Sequence, residues 1–319
     1  MNRIKTILRS NSFILVILLI AILIFFGLLN NRFFLPQNVV QYLNSGIVLG
    51  FLTFGLSATI ITGNFDFSIG AMCGFGTVII ARFMMMDIPI VLSLFLAFCI
   101  LVIFGCINGF LAGYMQIPGM LATLGTSSLY YGIGLVLTGG QAISVIGLEN
   151  SDTYTFFGKS DLGTLPFGMM LLLLVFIVSA ILLNRSKWGR RLYLTGISYK
   201  AARFSGINTK WIVLTAHVYS AMMCFLGALI LGSRMASGRA DVGQPYVLEA
   251  VSAAVFGGIS IKGGEGTITG AILGVLIFSL LTSGFTMINM SQYYRQIVTG
   301  ILLIVVLVIR NYGEILNHD

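Results

Sequence analysis

From Ile88 the chain reads Ile88-Pro89-Ile90-Val91-Leu92-Ser93-Leu94-Phe95-Leu96-Ala97-Phe98-Cys99-Ile100-Leu101, and it continues to Leu148 through 61 residues without a single Asp, Glu, Lys or Arg. A helix needs about 20 residues to cross the hydrocarbon core of a bilayer. The interval therefore holds two crossings, with a turn at Ile117-Pro118-Gly119 where proline interrupts the helical pattern. Outward from it, Arg9–Arg32 encloses 22 uncharged residues, Arg32–Asp66 encloses 33, Asp161–Arg185 and Lys210–Arg234 enclose 23 each, and Glu265–Arg295 encloses 29. These intervals give seven full-length spans. Shorter apolar stretches at 67–81, 250–261 and 296–309 add three more helices or half-helices, because charges at their borders can snorkel to the interface. The expected fold is an all-α membrane protein, a polytopic helical bundle of about ten transmembrane helices, some short or broken, forming a single domain over 1–319.

Composition excludes a soluble protein. Of 319 residues, 57% are hydrophobic and 9% charged, against roughly 25% charged in an ordinary domain. The net charge of +8 reads as a topology signal and as contact with anionic lipids. With ten spans and the N-terminus inside, 12 of the 18 basic residues fall on the cytoplasmic side: Arg3, Lys5, Arg9, seven from Arg185 to Lys210, Lys262 and Arg310. Both termini are then expected to be cytoplasmic. No basic stripe is interleaved with aromatics, which argues against nucleic acid as a partner. Arg3, Lys5 and Arg9 ahead of Phe13–Phe26 imitate a signal peptide. However, the apolar run reaches Leu29, and Asn30-Asn31-Arg32 offers no small-x-small cleavage site, so an uncleaved first span is expected. Cys73, Cys99, Cys106 and Cys224 lie in apolar stretches, where a thiol packs as a small hydrophobe, and no metal site is expected.

Glycines recur four residues apart at Gly46/Gly50, Gly70/Gly74, Gly105/Gly109/Gly113 and Gly266/Gly270/Gly274. On helices this spacing makes grooves for close packing in a membrane. Three polar interruptions stand out. The longest, 184–210, reads as a cytoplasmic loop containing one short helix over 198–206. Ser198 caps its start, Tyr199, Ala201, Ala202, Arg203, Phe204 and Ser205 form its body, and Gly206 closes it in a left-handed conformation. Two turns of helix are unstable alone in water, so it rests either on its own protein or in a partner's groove; the alternative is an incidental turn in a positive loop. The second, Thr62–Gly70, carries Asp66, expected as the N-cap of a helix from Phe67, with its charge at the positive helix end. The third, Gly257–Gly266, is a flexible turn. Neither Gly-x4-Gly-Lys-Ser/Thr nor Gly-x-Gly-x-x-Gly occurs anywhere in the chain, so no nucleotide loop is present.

At these places the sequence resembles the permease subunit of the ribose-type sugar ABC importers, over nearly its whole length. Thr62–Gly70 is similar to Thr/Ser-Gly-Gly-Ile-Asp-Leu-Ser-Val-Gly, with Asn64 and Phe65 as departures. Pro118–Thr126 is similar to Pro-x-Phe-Ile-Ala-Thr-Leu-Gly-Thr, and Leu137–Gln141 supplies Leu-Thr-Gly-Gly-Gln. Gly189–Ile207 follows Gly-Arg-x-x-Tyr-x-x-Gly-Gly-Asn-x-x-Ala-Ala-x-x-Ser-Gly-Ile, with Ile197-Ser198 in place of Gly-Asn. Leu248–Gly258, including Glu249, resembles the late Leu-Asp/Glu-Ala-Ile-Ala-Ala-x-x-Gly-Gly motif. The resemblance implies a bacterial inner-membrane permease without an ATPase site of its own. It also implies a second permease copy or paralogue, cytoplasmic ABC ATPase subunits that bind ATP and Mg, and an extracytoplasmic binding protein that delivers a sugar. In that picture 198–206 is the coupling helix.

Polar and aromatic residues within spans are the candidates for lining the translocation path: Asn44, Ser45, Asn108, Thr126, Tyr130, Tyr131 and Gln141. Arg234 and Arg239, on the outer side, are candidate contacts for acidic residues of the binding protein. An ion-coupled secondary transporter is the alternative, and it would rely on Asp66, Glu249 or His217. A membrane enzyme would need clustered acids; Glu149, Asp152 and Asp161 read instead as solvated loop residues.

Overall fold

In the computed structural model, residues 11–162 and 165–315 are described. They form α1 (Asn11–Leu29), α2 (Pro36–Ile61), α3 (Ile69–Met85), α4 (Ile90–Gly109, continued by a π turn Phe110–Tyr114), α5 (Gly119–Thr138), α6 (Ser151–Lys159) and α7 (Phe167–Arg185). The second half contains α8 (Lys187–Ile197), α9 (Tyr199–Phe204), α10 (Thr209–Met235), α11 (Tyr246–Phe256), α12 (Ile268–Met287) and α13 (Gln292–Ile315). Two antiparallel pairs of two-residue strands join loops; one sets Ile143 opposite Gly238 and ties the loop after α5 to the loop after α10.

The fold is an all-α membrane protein. Among the described residues, six helices (α2, α4 with its π turn, α5, α7, α10 and α12) are long and apolar enough to cross a bilayer. The interval 9–32, expected to hold a seventh, carries the 19-residue α1, whose apolar stretch Leu15–Leu29 is a shorter one. Ile69–Met85, Tyr246–Phe256 and Tyr293–Val305 are likewise shorter apolar helices. The stretch expected at 250–261 begins four residues earlier and stops at Phe256, because Gly257 and Gly258 end it and the chain turns back through Gly266. The basic residues Arg3, Lys5 and Arg9 lie outside the described residues.

Two helices make the centre. Burial covers 89% of the apolar window of α2 and 61% of that of α10, against 22–28% for α4, α5 and α7, which leaves the last three an apolar face for lipid or a partner. The Gly105/Gly109/Gly113 stripe of α4 shows how the centre closes. A Cβ on any of them would strike backbone of α10 at His217, Leu214 or Lys210, so this is a packing face without a side-chain layer. Cys73 and Cys224 are buried in the same core.

The interval 184–210 is not a loop with one short helix. Helix α7 runs to Arg185, Ser186 accepts the Gly189 amide at 2.9 Å as an N-cap, and α8 fills 187–197. Gly189, Leu192 and Thr195 are its buried side, and Trp188 donates its indole N–H to Thr215 of α10 at 2.8 Å. A new cap at Ser198 then starts α9.

Candidate functional site

Asp66 does not cap α3. The helix starts at Ile69 with Ser68 at the cap position, and Asp66, two residues earlier, reaches forward along the turn. Its Oδ1 accepts the Ser68 amide at 3.0 Å and the Ser68 hydroxyl at 2.6 Å, while Oδ2 accepts Ser220 Oγ of α10 at 2.9 Å. The carboxylate is 0% exposed, and these donors, together with the N-terminus of α3, offset the loss of water. Beyond Ser68, Asn108 Nδ2 of α4 donates to Ser68 Oγ at 2.7 Å, and Tyr130 OH of α5 donates to Asn108 Oδ1 or the Phe104 carbonyl, both at 3.1 Å. Thr123 accepts the Phe67 amide at 3.0 Å and donates to the Gly119 carbonyl at 2.8 Å or that of Phe65 at 3.2 Å. The polar positions of Thr62–Gly70 and Pro118–Thr126 therefore meet in one buried network that joins α3, α4, α5 and α10.

The path candidates divide into three groups. Asn108, Thr126 and Tyr130 are buried in or beside this network. Tyr131 and Gln141 line a small cavity of about 260 Å³, shared with Arg239 and Asp241. Ser45 forms part of the wall of a larger cleft of about 900 Å³, its hydroxyl paired with Ser283 at 3.1 Å, and Asn44 stands behind that wall as a partner of Arg234. Arg234 NH2 donates to Asn44 Oδ1 at 2.6 Å and to the Asn44 carbonyl at 3.1 Å, which pins the guanidinium in the cleft wall. Glu249, in the first turn of α11, also lines this cleft, with Tyr246 and Arg295. It is not an N-cap, since Pro245 precedes the helix.

Arg239 lies at the cleft's rim in a bidentate pair with Asp241, at 3.0 and 2.7 Å. That contact holds the Asp241 carboxyl below its ordinary value and raises the guanidinium. Both side chains are about half exposed, so the pair contributes little to stability. Of the candidates for ion coupling, Asp66 is engaged as above, Glu249 faces the cleft, and His217 is buried with Nδ1 on the Val213 carbonyl at 3.0 Å and Nε2 without a partner.

At the opposite end of the bundle, Ser198 Oγ accepts the Ala201 amide at 3.2 Å and Gly206 takes φ +79°, the two ends expected of that helix. Its helical residues are Tyr199–Phe204, with Ala202 buried and Ala201 exposed. Phe204 is 92% exposed. Seventeen residues of α2 separate Asn44, beside the cleft, from Ile61 at this end, a distance of about 26 Å along a helix.

Sequence reasoning did not foresee that Arg234 and Asn44 pair, or that both belong with Ser45 and Glu249. Asn44 and Ser45 are neighbours but lie far along the chain from Arg234 and Glu249, and only packing of α2 against α10 and α11 brings the two groups together. For α8, however, the signal was present in Ser186 and the spacing of Trp188, Leu192 and Thr195.

Comparison with known proteins adds a family. Residues 38–307 match the family described as "Branched-chain amino acid transport system / permease component". The ribose import permease protein RbsC of Bacillus subtilis (strain 168) is 31% identical over 287 residues, covering 90% of this chain and 88% of its own. The ribose import permease protein RbsC of Haemophilus influenzae is 29% identical over 97% of this chain and 94% of its own. The autoinducer 2 import system permease protein LsrC of Yersinia enterocolitica is 31% identical over 91% of this chain and 80% of its own. No solved structure matches.

Proposed function

The chain belongs to the branched-chain amino acid transport system permease component family, and from that premise we propose that it is the membrane-spanning permease subunit of a bacterial, ATP-driven, binding-protein-dependent importer of a monosaccharide or similar small polyol. The observation that carries this reading is a solute-sized cleft carrying hydrogen-bonding groups within a bundle of apolar helices. Ser45, Ser279, Thr282, Tyr246, Glu249 and the pinned Arg234 supply donors and acceptors in about 900 Å³, within the range of small-molecule sites. A neutral polyol exchanges water for such groups without bringing a charge into the membrane.

In this reading ten helices cross or enter the membrane, both termini are cytoplasmic, and the cleft opens outward. Helix α9 is the coupling helix on a partner ATPase, which holds ATP and Mg. Exposed Phe204 is the side chain it offers, and Arg239 with Asp241 stands at the rim that meets the binding protein. A second permease copy or paralogue completes the path. Import of labelled D-ribose into membrane vesicles is the test. The expected result is saturable, ATP-dependent and binding-protein-dependent uptake that persists with a protonophore. Glu249→Gln should raise the concentration for half-maximal uptake several-fold at unchanged membrane abundance. Uptake abolished by the protonophore with ATP present would instead make the chain an ion-coupled carrier.

A further inference from the structure

The cytoplasm-facing helices meet two loops of the bundle at a junction built almost entirely of backbone. At the end of α2, the Ile61 carbonyl accepts the Gly264 amide from the loop between α11 and α12, at 2.8 Å. Gly63 and Gly263, both at positive φ, face each other beside this bond; a Cβ on Gly263 would lie 2.7 Å from the Gly63 nitrogen. Gly196, in the last turn of α8, closes the junction from the third side. A Cβ there would overlap the Ile61 carbonyl oxygen and lie 2.5 Å from the Gly264 nitrogen. One turn earlier, Tyr193 OH donates to the Gly266 carbonyl of the same loop at 2.8 Å. Burial pushes the Tyr193 phenol up, so it keeps the proton that it donates.

Each of the three contributors leads somewhere different. Helix α8 continues through Ser198 directly into α9 and exposed Phe204. The turn after Ile61 leads within five residues to Asp66 and its bonds to α3 and α10. The loop 257–267 links α11, which carries Glu249 in the cleft wall, to α12. Contact at atomic separation with no intervening side chain leaves no slack, because close-packed interiors transmit displacement instead of absorbing it.

We propose that Gly196 and Tyr193 are positioning residues for energy coupling: they lock α8 to both loops, so that a displacement of α9 moves the Asp66 turn and the α11–α12 loop as one piece. The proposal rests on the importer reading and adds to it the route from the docking helix to the cleft. A rigid α8 then carries motion to α2 through Ile61 and to α11 through Gly264 and Gly266, and these are the helices that hold Asn44, Ser45 and Glu249.

The test uses proteoliposomes containing the complete complex, with its co-purifying ATPase and binding protein. D-ribose imported and phosphate released are measured together. Tyr193→Phe removes one hydroxyl and should lower D-ribose moved per ATP about fivefold, with hydrolysis continuing. Gly196→Ala forces the junction apart and should lower the ratio about tenfold or more. If Gly196→Ala fails to accumulate in the membrane, Tyr193→Phe decides alone. A purely structural role would lower the amount of complex and leave the ratio at the wild-type value. A wild-type ratio in every variant that assembles overturns the junction while the importer reading stands. No ATP-driven import by the wild type overturns both.

Discussion

Asp66 is the residue on which the interior is most dependent. A buried carboxylate in a membrane protein is tolerated only when it is fully bonded or functional, and three donors from Ser68 and Ser220 converge on it. Removing the acceptor strands those donors, each at roughly 1–3 kcal/mol. Asp66→Ala is therefore expected to cost about 3 kcal/mol or more, seen as a large fall in the thermal midpoint of the purified protein. Asn108→Leu should cost less, since Tyr130 keeps the Phe104 carbonyl and Ser68 keeps Asp66. Ser45→Ala, on the wall of an open cleft, should change the midpoint little. An equal midpoint for Asp66→Ala and Ser45→Ala would show that the network does not hold the bundle. The sequence marked Asp66 as a helix cap between spans and Asn108 and Tyr130 as polar exceptions in apolar helices, but gave no means of telling a path from a bonded core. That distinction depends on which way a helix is turned, and α4 and α5 have no strong polar face to reveal it.

Among the elements, α9 was the most legible and α8 the least. Ser198 and Gly206 are local signals, and local signals survive folding: the cap bond and the left-handed glycine both occur where they were expected. The span ends were legible for a similar reason, because a charge cannot drift far into hydrocarbon. By contrast, α8 is short and strongly basic, a composition shared with a solvated positive loop. The ends of α9 carry a prediction of their own. Ser198→Ala loses the cap, about 1 kcal/mol, and Gly206→Val sets a β-branched residue at φ +79°, where strain is about 1–3 kcal/mol. Both should weaken binding of the ATPase, measured by titrating ATPase onto nanodisc-held protein, and the double variant more than either. Wild-type affinity in the double variant would mean that a preformed α9 is not required.

For the molecule as a whole, two ends with different chemistry are joined by α2 and α10. One end has a polar cleft with Arg234 and Glu249; the other has a rigid backbone junction beneath an exposed aromatic. Such a division suits a protein that takes its solute at one face and its energy at the other. In the proposed importer α9 receives the energy from a partner ATPase, and the deciding experiment purifies the tagged chain in mild detergent and compares wild type with an Ala201→Glu, Phe204→Glu double variant. Both positions are exposed and Ala202 between them is buried, so the change alters the docking face while leaving the inner face alone. An ABC ATPase is expected to co-purify with the wild type and to be lost from the double variant, with the membrane abundance of the chain unchanged. An ATPase retained at wild-type stoichiometry by the double variant, or absent from the wild type, would contradict that role of α9.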